Sequence, residues 1–264
     1  MFTSPNKIFM SFWGYDIYWY GLFLAIGIVF SILVSHYVSK KFYKQDFVID
    51  FTPYILIVGI IFARLYYCLI NWTYYSNFPS KILFIREGGI SIHGAIIGGV
   101  FAISCLWYLS RKFDKNFNLS FLEVCDIFAI GLPLGQAIGR WGNFFNSEAF
   151  GLPTNLPWKL YIAPQFRPAQ FLNYDYFHPT FLYESILDIV IFAVLILTLK
   201  KYKTNSYGKI TALYLILYAI CRFFIEYLRT DSVLNLGTLH IAQIASIIML
   251  ILGIAIFVYV KYKK

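Results

Sequence analysis

Charged residues are few in this chain: Asp, Glu, Lys and Arg make up 13% of its 264 residues, against 59% hydrophobic and 21% aromatic. Soluble domains carry about a quarter of their residues charged, and with a mean hydropathy of +0.66 a soluble globular class is excluded. Cysteine is also sparse. The four residues, Cys68, Cys105, Cys125 and Cys221, lie inside apolar runs and form no C-x-x-C pair, so the pattern supports neither a disulfide framework nor a zinc site, and no metal or cofactor is indicated. The G-x-S-G, H-E-x-x-H and G-x-G-D signatures of intramembrane proteases are missing, as are internal repeats and low-complexity tracts. The lack of repeats weighs against an inverted-repeat transporter. Only Lys7 stands before the first apolar run, which begins near Ile17, and no small-residue cleavage site accompanies it; that run is expected to remain as a span rather than to leave as a signal peptide.

What is present is a series of apolar runs long enough to cross a bilayer as helices, at about residues 17–37, 51–70, 90–110, 122–140, 181–199, 210–228 and 239–260. They predict an all-α integral membrane protein, a single polytopic membrane domain over residues 1–264 with about seven transmembrane helices. A net charge of +9 would suggest nucleic acid in a soluble protein. Here the basic residues gather between spans: Lys40, Lys41 and Lys44 after the first, Arg111, Lys112 and Lys115 after the third, Lys200, Lys201, Lys203 and Lys209 after the fifth, Lys261, Lys263 and Lys264 after the last. The alternate connections carry fewer, mixed with Glu87, Glu148, Asp175 and Asp231. The positive-inside rule then places the N-terminus outside and the C-terminus in the cytoplasm, with no nucleic-acid partner. Tyr15, Tyr18, Trp19 and Tyr20 at the first span, and Trp72, Tyr74 and Tyr75 after the second, read as interfacial anchors.

Between about residues 152 and 178, Pro153, Pro157, Pro164 and Pro168 are interleaved with Trp158, Tyr161, Phe166, Phe171, Tyr174 and Phe177. Prolines at that density forbid a helix interior and predict a small irregular lobe on the periplasmic or extracellular face, placed to cap a site or guide a substrate.

The most polar stretch is residues 139–151, G-R-W-G-N-F-F-N-S-E-A-F-G. It gathers Arg140, Asn143, Asn146 and Glu148 between Gly139, Gly142 and Gly151. Glycine lets backbone approach a ligand and arginine offers a planar fork of donors for phosphate or carboxylate, so the stretch reads as an anion-binding catalytic segment. On the sixth span, Tyr218, Arg222 and Glu226 recur at every fourth residue and Arg229 follows seven after Arg222, which sets all four on one helical stripe. A structural Arg222 to Glu226 pair alone would explain half of this. Arg229, as an unpaired charge at the outer end, makes the stripe one wall of an anion site. The third span opens G-G-I-S-I-H-G-A-I-I-G-G; Gly94 and Gly98 fit small-xxx-small packing, which leaves His93 unexplained, either a hydrogen-bonded structural residue or a functional one. Arg64 fits a phosphate contact or a packing charge equally well. His178 and Glu184, in H-P-T-F-L-Y-E-S, carry no assigned role, nor do His36 and His240.

These motifs together resemble the bacterial prolipoprotein diacylglyceryl transferases. The resemblance rests on the whole of residues 139–151, on His93-Gly94, on the H-P-T-x-L-Y-E segment and on the R-x-x-x-E-x-x-R stripe, in the family's order and over essentially the full chain. Ala95 and Phe181 depart from the residues usual at those places. The resemblance implies a seven-span protein of the bacterial cytoplasmic membrane with its active site toward the outer leaflet. It implies transfer of a diacylglyceryl group from phosphatidylglycerol to the thiol of the lipobox cysteine in a preprolipoprotein, leaving a thioether and glycerol phosphate. It carries functional roles to Tyr20, His93, Arg140, Asn143, Glu148, Gly151, Tyr218, Arg222, Glu226 and Arg229. In that chemistry Arg140 and Arg222 would clamp the phosphate, Arg229 would stand at the mouth, and Asn143 and Asn146 would add hydrogen bonds. Glu148 and Glu226 would orient the arginines, and His93 would take the thiol proton, since imidazole exchanges protons near neutral pH. A transporter of anionic lipid and a structural bundle with incidental polar packing are the competing readings.

Overall fold

The structure is a computed structural model describing residues 2–85, 88–202, 207–230, 235–236 and 239–262. Glu87, Lys203, Asp231, Lys263 and Lys264, which enter the charge pattern above, lie outside the described residues. The helices are α1 (Trp19–Val38), α2 (Val48–Ile70), the short α3 (Trp72–Asn77), α4 (Ile92–Phe113), α5 (Phe121–Asn146), α6 (Thr180–Tyr202), α7 (Lys209–Glu226) and α8 (Ile241–Tyr262). Apart from α3 they fall close to the seven expected spans. Among the described residues six helices are long and apolar enough to cross a bilayer, so the chain is a multi-pass membrane protein. The remaining long helix, α7, has 18 residues and includes Lys209, Arg222 and Glu226, whose charges make it too polar for that group. The largest difference from the sequence reading is α5, which ends at Asn146 rather than near residue 140. More than half of the polar signature, residues 139–146, is therefore helical.

Contacts divide the chain into two compact units, His36–Cys125 and Met1–Ser35 with Asp126–Lys264. In the first unit α2 packs on α4. The contact needs glycine: a Cβ on Gly94 would stand 2.4 Å from the Phe62 carbonyl oxygen and one on Gly98 2.6 Å from the Phe62 Cβ, as small-xxx-small packing requires. Arg64 is 5% exposed and donates to the carbonyls of Lys81, Ile82, Phe84, Gly88 and Gly89 at 2.6–3.3 Å. Its fork is spent on the chain's own backbone, which settles it as a packing charge. Ser120 and Glu123 start α5 as a capping box, the Glu123 carboxylate accepting from the Ser120 N–H at 2.8 Å and the Glu123 N–H donating to Ser120 Oγ at 3.3 Å.

In the other unit, α1 and α5 touch through their backbones. A Cβ on Gly27 would lie 2.6 Å from the Gly135 carbonyl oxygen, and one on Gly131 2.3 Å from that of Ser31; without a hydrophobic force between helices in lipid, such close packing is what joins them. α7 packs against α6 and α8. Its start is held from α5: fully buried Asp126 accepts from the Gly208 N–H, the Thr211 N–H and the Thr211 hydroxyl, each at 2.7 Å. This satisfies N–H groups that a helix start leaves open and fixes the height of α7 beside α5.

The Pro-rich segment is a small lobe, as its composition predicts. Strand β1 (Phe2–Thr3) runs parallel to β4 (Leu160–Tyr161), which pairs antiparallel with β5 (Tyr176–Phe177). Beneath them Phe150, Leu160, Ile162, Phe177 and Phe181 form a core that seats the lobe on the end of the signature segment and the start of α6. A second hairpin, β2 (Ile8–Phe12) and β3 (Tyr15–Tyr18), leads into α1, and β6 (Asn235–Leu236) and β7 (Leu239–His240) pair ahead of α8.

Candidate active site

The end of α5, the start of α6 and the end of α7 meet around one carboxylate. Glu184, one turn into α6, is 4% exposed. Its Oε2 pairs with Arg140 Nη2, while its Oε1 accepts from Arg229 Nη1 at 3.1 Å and lies 3.8 Å from Arg222 Nη1. Arg222 directs its Nη2 to Glu226 Oε2, at 2.8 Å. The carboxylates are the deeper partners, and the arginine side chains remain 13–19% exposed above them. Two carboxylates cannot saturate three guanidinium forks, each of which has five donors. Arg222 Nη1 is accordingly buried without a hydrogen-bond partner among the described residues. An unsatisfied buried donor on a cation is costly and is relieved by an anion.

The second half of the signature acts as a clip that sets this geometry. Ser147 and Ala149 adopt left-handed backbone, φ 55° and 53°, turning the chain sharply after α5. The Ala149 carbonyl accepts from the Thr180 hydroxyl and the Phe181 N–H at the start of α6. Gly151 N–H donates to the His178 carbonyl at 2.8 Å, and Leu152 N–H to the Leu228 carbonyl at 2.7 Å. Residues 149–152 thus tie the start of α6 to the end of α7 and hold Glu184 within reach of Arg229. Only glycine fits at 151, because a Cβ there would stand 2.7 Å from the Leu228 oxygen and 2.9 Å from both His178 Cβ and Thr180 Cγ2.

Of the residues expected at the site, Arg140, Arg222, Glu226 and Arg229 converge here. Tyr218 lies one turn before Arg222; its ring stacks on Tyr214 at 5.7 Å, and the Tyr214 hydroxyl donates to Gln136 Oε1 on α5 at 3.1 Å. Arg229 is not the unpaired charge expected from the sequence, since Glu184 holds it. Glu148 is exposed and accepts from Asn146 Nδ2 at 3.4 Å; the orienting of arginines falls to Glu184 and Glu226 instead. Asn143 accepts the Glu148 N–H on its carbonyl at 2.9 Å. Tyr20 packs against the backbone of Gly142, where a Cβ would come 2.9 Å from its ring. His93 belongs to the His36–Cys125 unit, is exposed at the start of α4, and has its ring centroid 6.0 Å from that of Tyr66. His178 Nδ1 lies 3.2 Å from the Tyr183 hydroxyl, which also accepts from Trp158 Nε1 at 2.8 Å, and partial burial lowers the His178 pKa.

Sequence reasoning assigned no role to Glu184 and passed over Asp188, one turn further along α6 and 3% exposed. The signal was available: two acids four residues apart in an apolar run with no base beside them on that helix.

Fold and site together define a multi-pass membrane protein in which three arginines gather around the buried carboxylates Glu184 and Glu226 where α5, α6 and α7 meet. The family model described as prolipoprotein diacylglyceryl transferase matches residues 7–259. Among similar proteins, the phosphatidylglycerol–prolipoprotein diacylglyceryl transferase of Nostoc sp. is 43% identical over 100% of this chain and 92% of its own length. That of Synechocystis sp. is 42% identical over 100% and 93%, and that of Thermotoga maritima 41% over 94% and 82%. The chain belongs to the prolipoprotein diacylglyceryl transferase family and is an enzyme of the transferase class.

Proposed function

We propose that the site transfers the diacylglyceryl group of phosphatidylglycerol to the lipobox cysteine thiol of a preprolipoprotein, the first step of bacterial lipoprotein maturation. The thiol loses its proton, a C–S bond forms at the glyceryl carbon, and the C–O bond to phosphate breaks, so that glycerol phosphate departs with the electron pair. The observation that carries this reading is the Glu184 hub. It draws three guanidiniums together before substrate arrives and leaves Arg222 Nη1 without a hydrogen-bond partner among the described residues. Charge gathers on the departing phosphate in the transition state, and preset donors stabilise it without reorganising. Arg140 and Arg222 clamp the phosphate, Arg229 guards the mouth, and Tyr20, Asn143, Asn146, Glu148, Gly151 and Tyr218 complete the substrate-binding surface. Phe23 of α1, Leu134, Ile138 and Trp141 of α5 and Ile189 of α6 help line an apolar groove of about 320 Å³, which suits an acyl chain. His93 takes the thiol proton. A normal rate with an unchanged pH profile in His93→Gln would remove it from that role. The distribution of Lys and Arg between helices supports a bacterial cytoplasmic membrane location with the N-terminus outside and the site toward the outer leaflet.

The test is a mass-spectrometric assay with purified protein, phosphatidylglycerol and a synthetic lipobox peptide bearing one cysteine. A gain of one diacylglyceryl unit on the thiol, absent with Arg140→Ala, is expected. No adduct from folded wild-type protein across several anionic phospholipids would overturn the reading in favour of lipid transport.

A further inference from the structure

Asp188 is the buried acid that the proposed chemistry leaves without a task. Its Oδ2 is inaccessible and has no hydrogen-bond partner among the described residues. Arg140 from α5, Arg222, Tyr214, Tyr218 and Cys221 from α7, and Glu184 on its own helix are the titratable and charged groups that act on it. A carboxylate without a donor depends on nearby positive charge to stay ionised, because isolated charges are strongly disfavoured inside a protein or bilayer.

The charge count gives this orphan a use. Among the described residues, Arg140, Arg222 and Arg229 stand against Glu184, Glu226 and Asp188, and these six groups cancel when all are ionised. A phosphodiester headgroup adds one negative charge. Glu184 and Glu226 cannot shed theirs without breaking the ion pairs that aim the arginines. Asp188 loses no hydrogen bond on protonation. We infer that Asp188 takes up a proton from solvent as an anionic phosphate ester enters, and releases it when the site empties. It is a positioning residue: it keeps the loaded site neutral while the Glu184 and Glu226 pairs stay intact. The inference rests on the lipid-phosphate reading of the site given above.

The experiment is titration calorimetry of the detergent-solubilised protein with short-chain phosphatidylglycerol in two buffers of different ionisation heat, which counts protons exchanged on binding. Wild type is expected to take up a fraction of a proton approaching one at alkaline pH, with affinity weakening by up to about tenfold per pH unit. Asp188→Asn is expected to bind with no such uptake and a flat pH dependence, and Asp188→Glu to restore both. Glycerol phosphate as a second titrant separates phosphate from whole-lipid recognition, and because a phosphate monoester exchanges protons itself, only uptake that Asp188→Asn abolishes supports the role. Should the variants not fold, infrared difference spectra of wild type give the same decision: a protonated-carboxyl stretch appearing on binding supports it. Binding without proton uptake, or equal uptake in Asp188→Asn, overturns the role of Asp188 and leaves the transferase reading intact. Failure of phosphatidylglycerol to bind overturns both.

Discussion

Replacing Glu184 by glutamine tests the hub most directly. The side chain keeps its shape and can still accept from Arg229, now 3.1 Å away, but loses the charge that pairs with Arg140 and draws Arg222. At 4% exposure the lost partner is not replaced by water, and breaking a buried ion pair from one side costs about 3–5 kcal/mol. Part of that cost appears as lower thermal stability and part as movement of the freed guanidiniums. A phosphate clamp that loses one aligned donor loses about 10²–10³ in kcat, so turnover of the lipobox peptide is expected to fall by that order. The Michaelis constant for phosphatidylglycerol should not rise with it, because the site has gained a net positive charge and still attracts an anion. Glu184→Asp, which keeps the charge one methylene further from the arginines, is expected to fall between. The assay is the mass-spectrometric one, read as separate kcat and KM at fixed peptide, with thermal unfolding in detergent alongside. Wild-type kcat in Glu184→Gln, or a loss confined to KM, would refute the claim that Glu184 presets the clamp.

Other consequences follow from the same contacts. Gly151→Ala places a Cβ against the Leu228 oxygen; overpacking of this kind costs about 1–3 kcal/mol, and because it pushes Arg229 away from Glu184 the activity of the folded fraction should fall as well, which a thermal melt paired with kcat separates. Asp126→Ala removes the acceptor of three hydrogen bonds at the start of α7, with an expected loss of about 1–2 kcal/mol and near-normal turnover in the protein that remains folded. Arg140→Lys retains charge without the fork and is expected to insert normally while losing most activity. Burial holds His178 below its ordinary value of 6.5, which makes it the weaker base in the folded chain. The unfolded chain then binds the proton first as pH falls, so stability should be level above about pH 6.5 and decline below it, a slope that melting curves should find absent in His178→Gln.

The limits of legibility follow from the range of the interactions. The spans could be read because lipid demands long apolar runs, and the Arg222–Glu226 pair because helical neighbours recur at four residues. The length of α5 could not, because its polar end reads as a loop; it stays helical to Asn146 where Gly142 lets Tyr20 lie against the backbone. The role of Glu184 could not be read by local spacing either, since its partners Arg140 and Arg229 come from other segments.

A different rule would have found it. Charges buried in a membrane protein must be balanced, and each helix can be checked alone. The last turns of α5 carry Arg140 with no acid beside it, the first turns of α6 carry Glu184 and Asp188 with no base, and α7 with the turn after it carries two arginines against Glu226. None of the three can be buried by itself without an uncompensated charge, whereas together these described groups cancel. The imbalance of each helix therefore requires that α5, α6 and α7 meet at these ends, and it assigns the acids of α6 as the counter-charges before any coordinate is known. The same rule explains why Asp188 matters despite lacking a hydrogen bond: it completes a neutrality that an incoming phosphate must disturb.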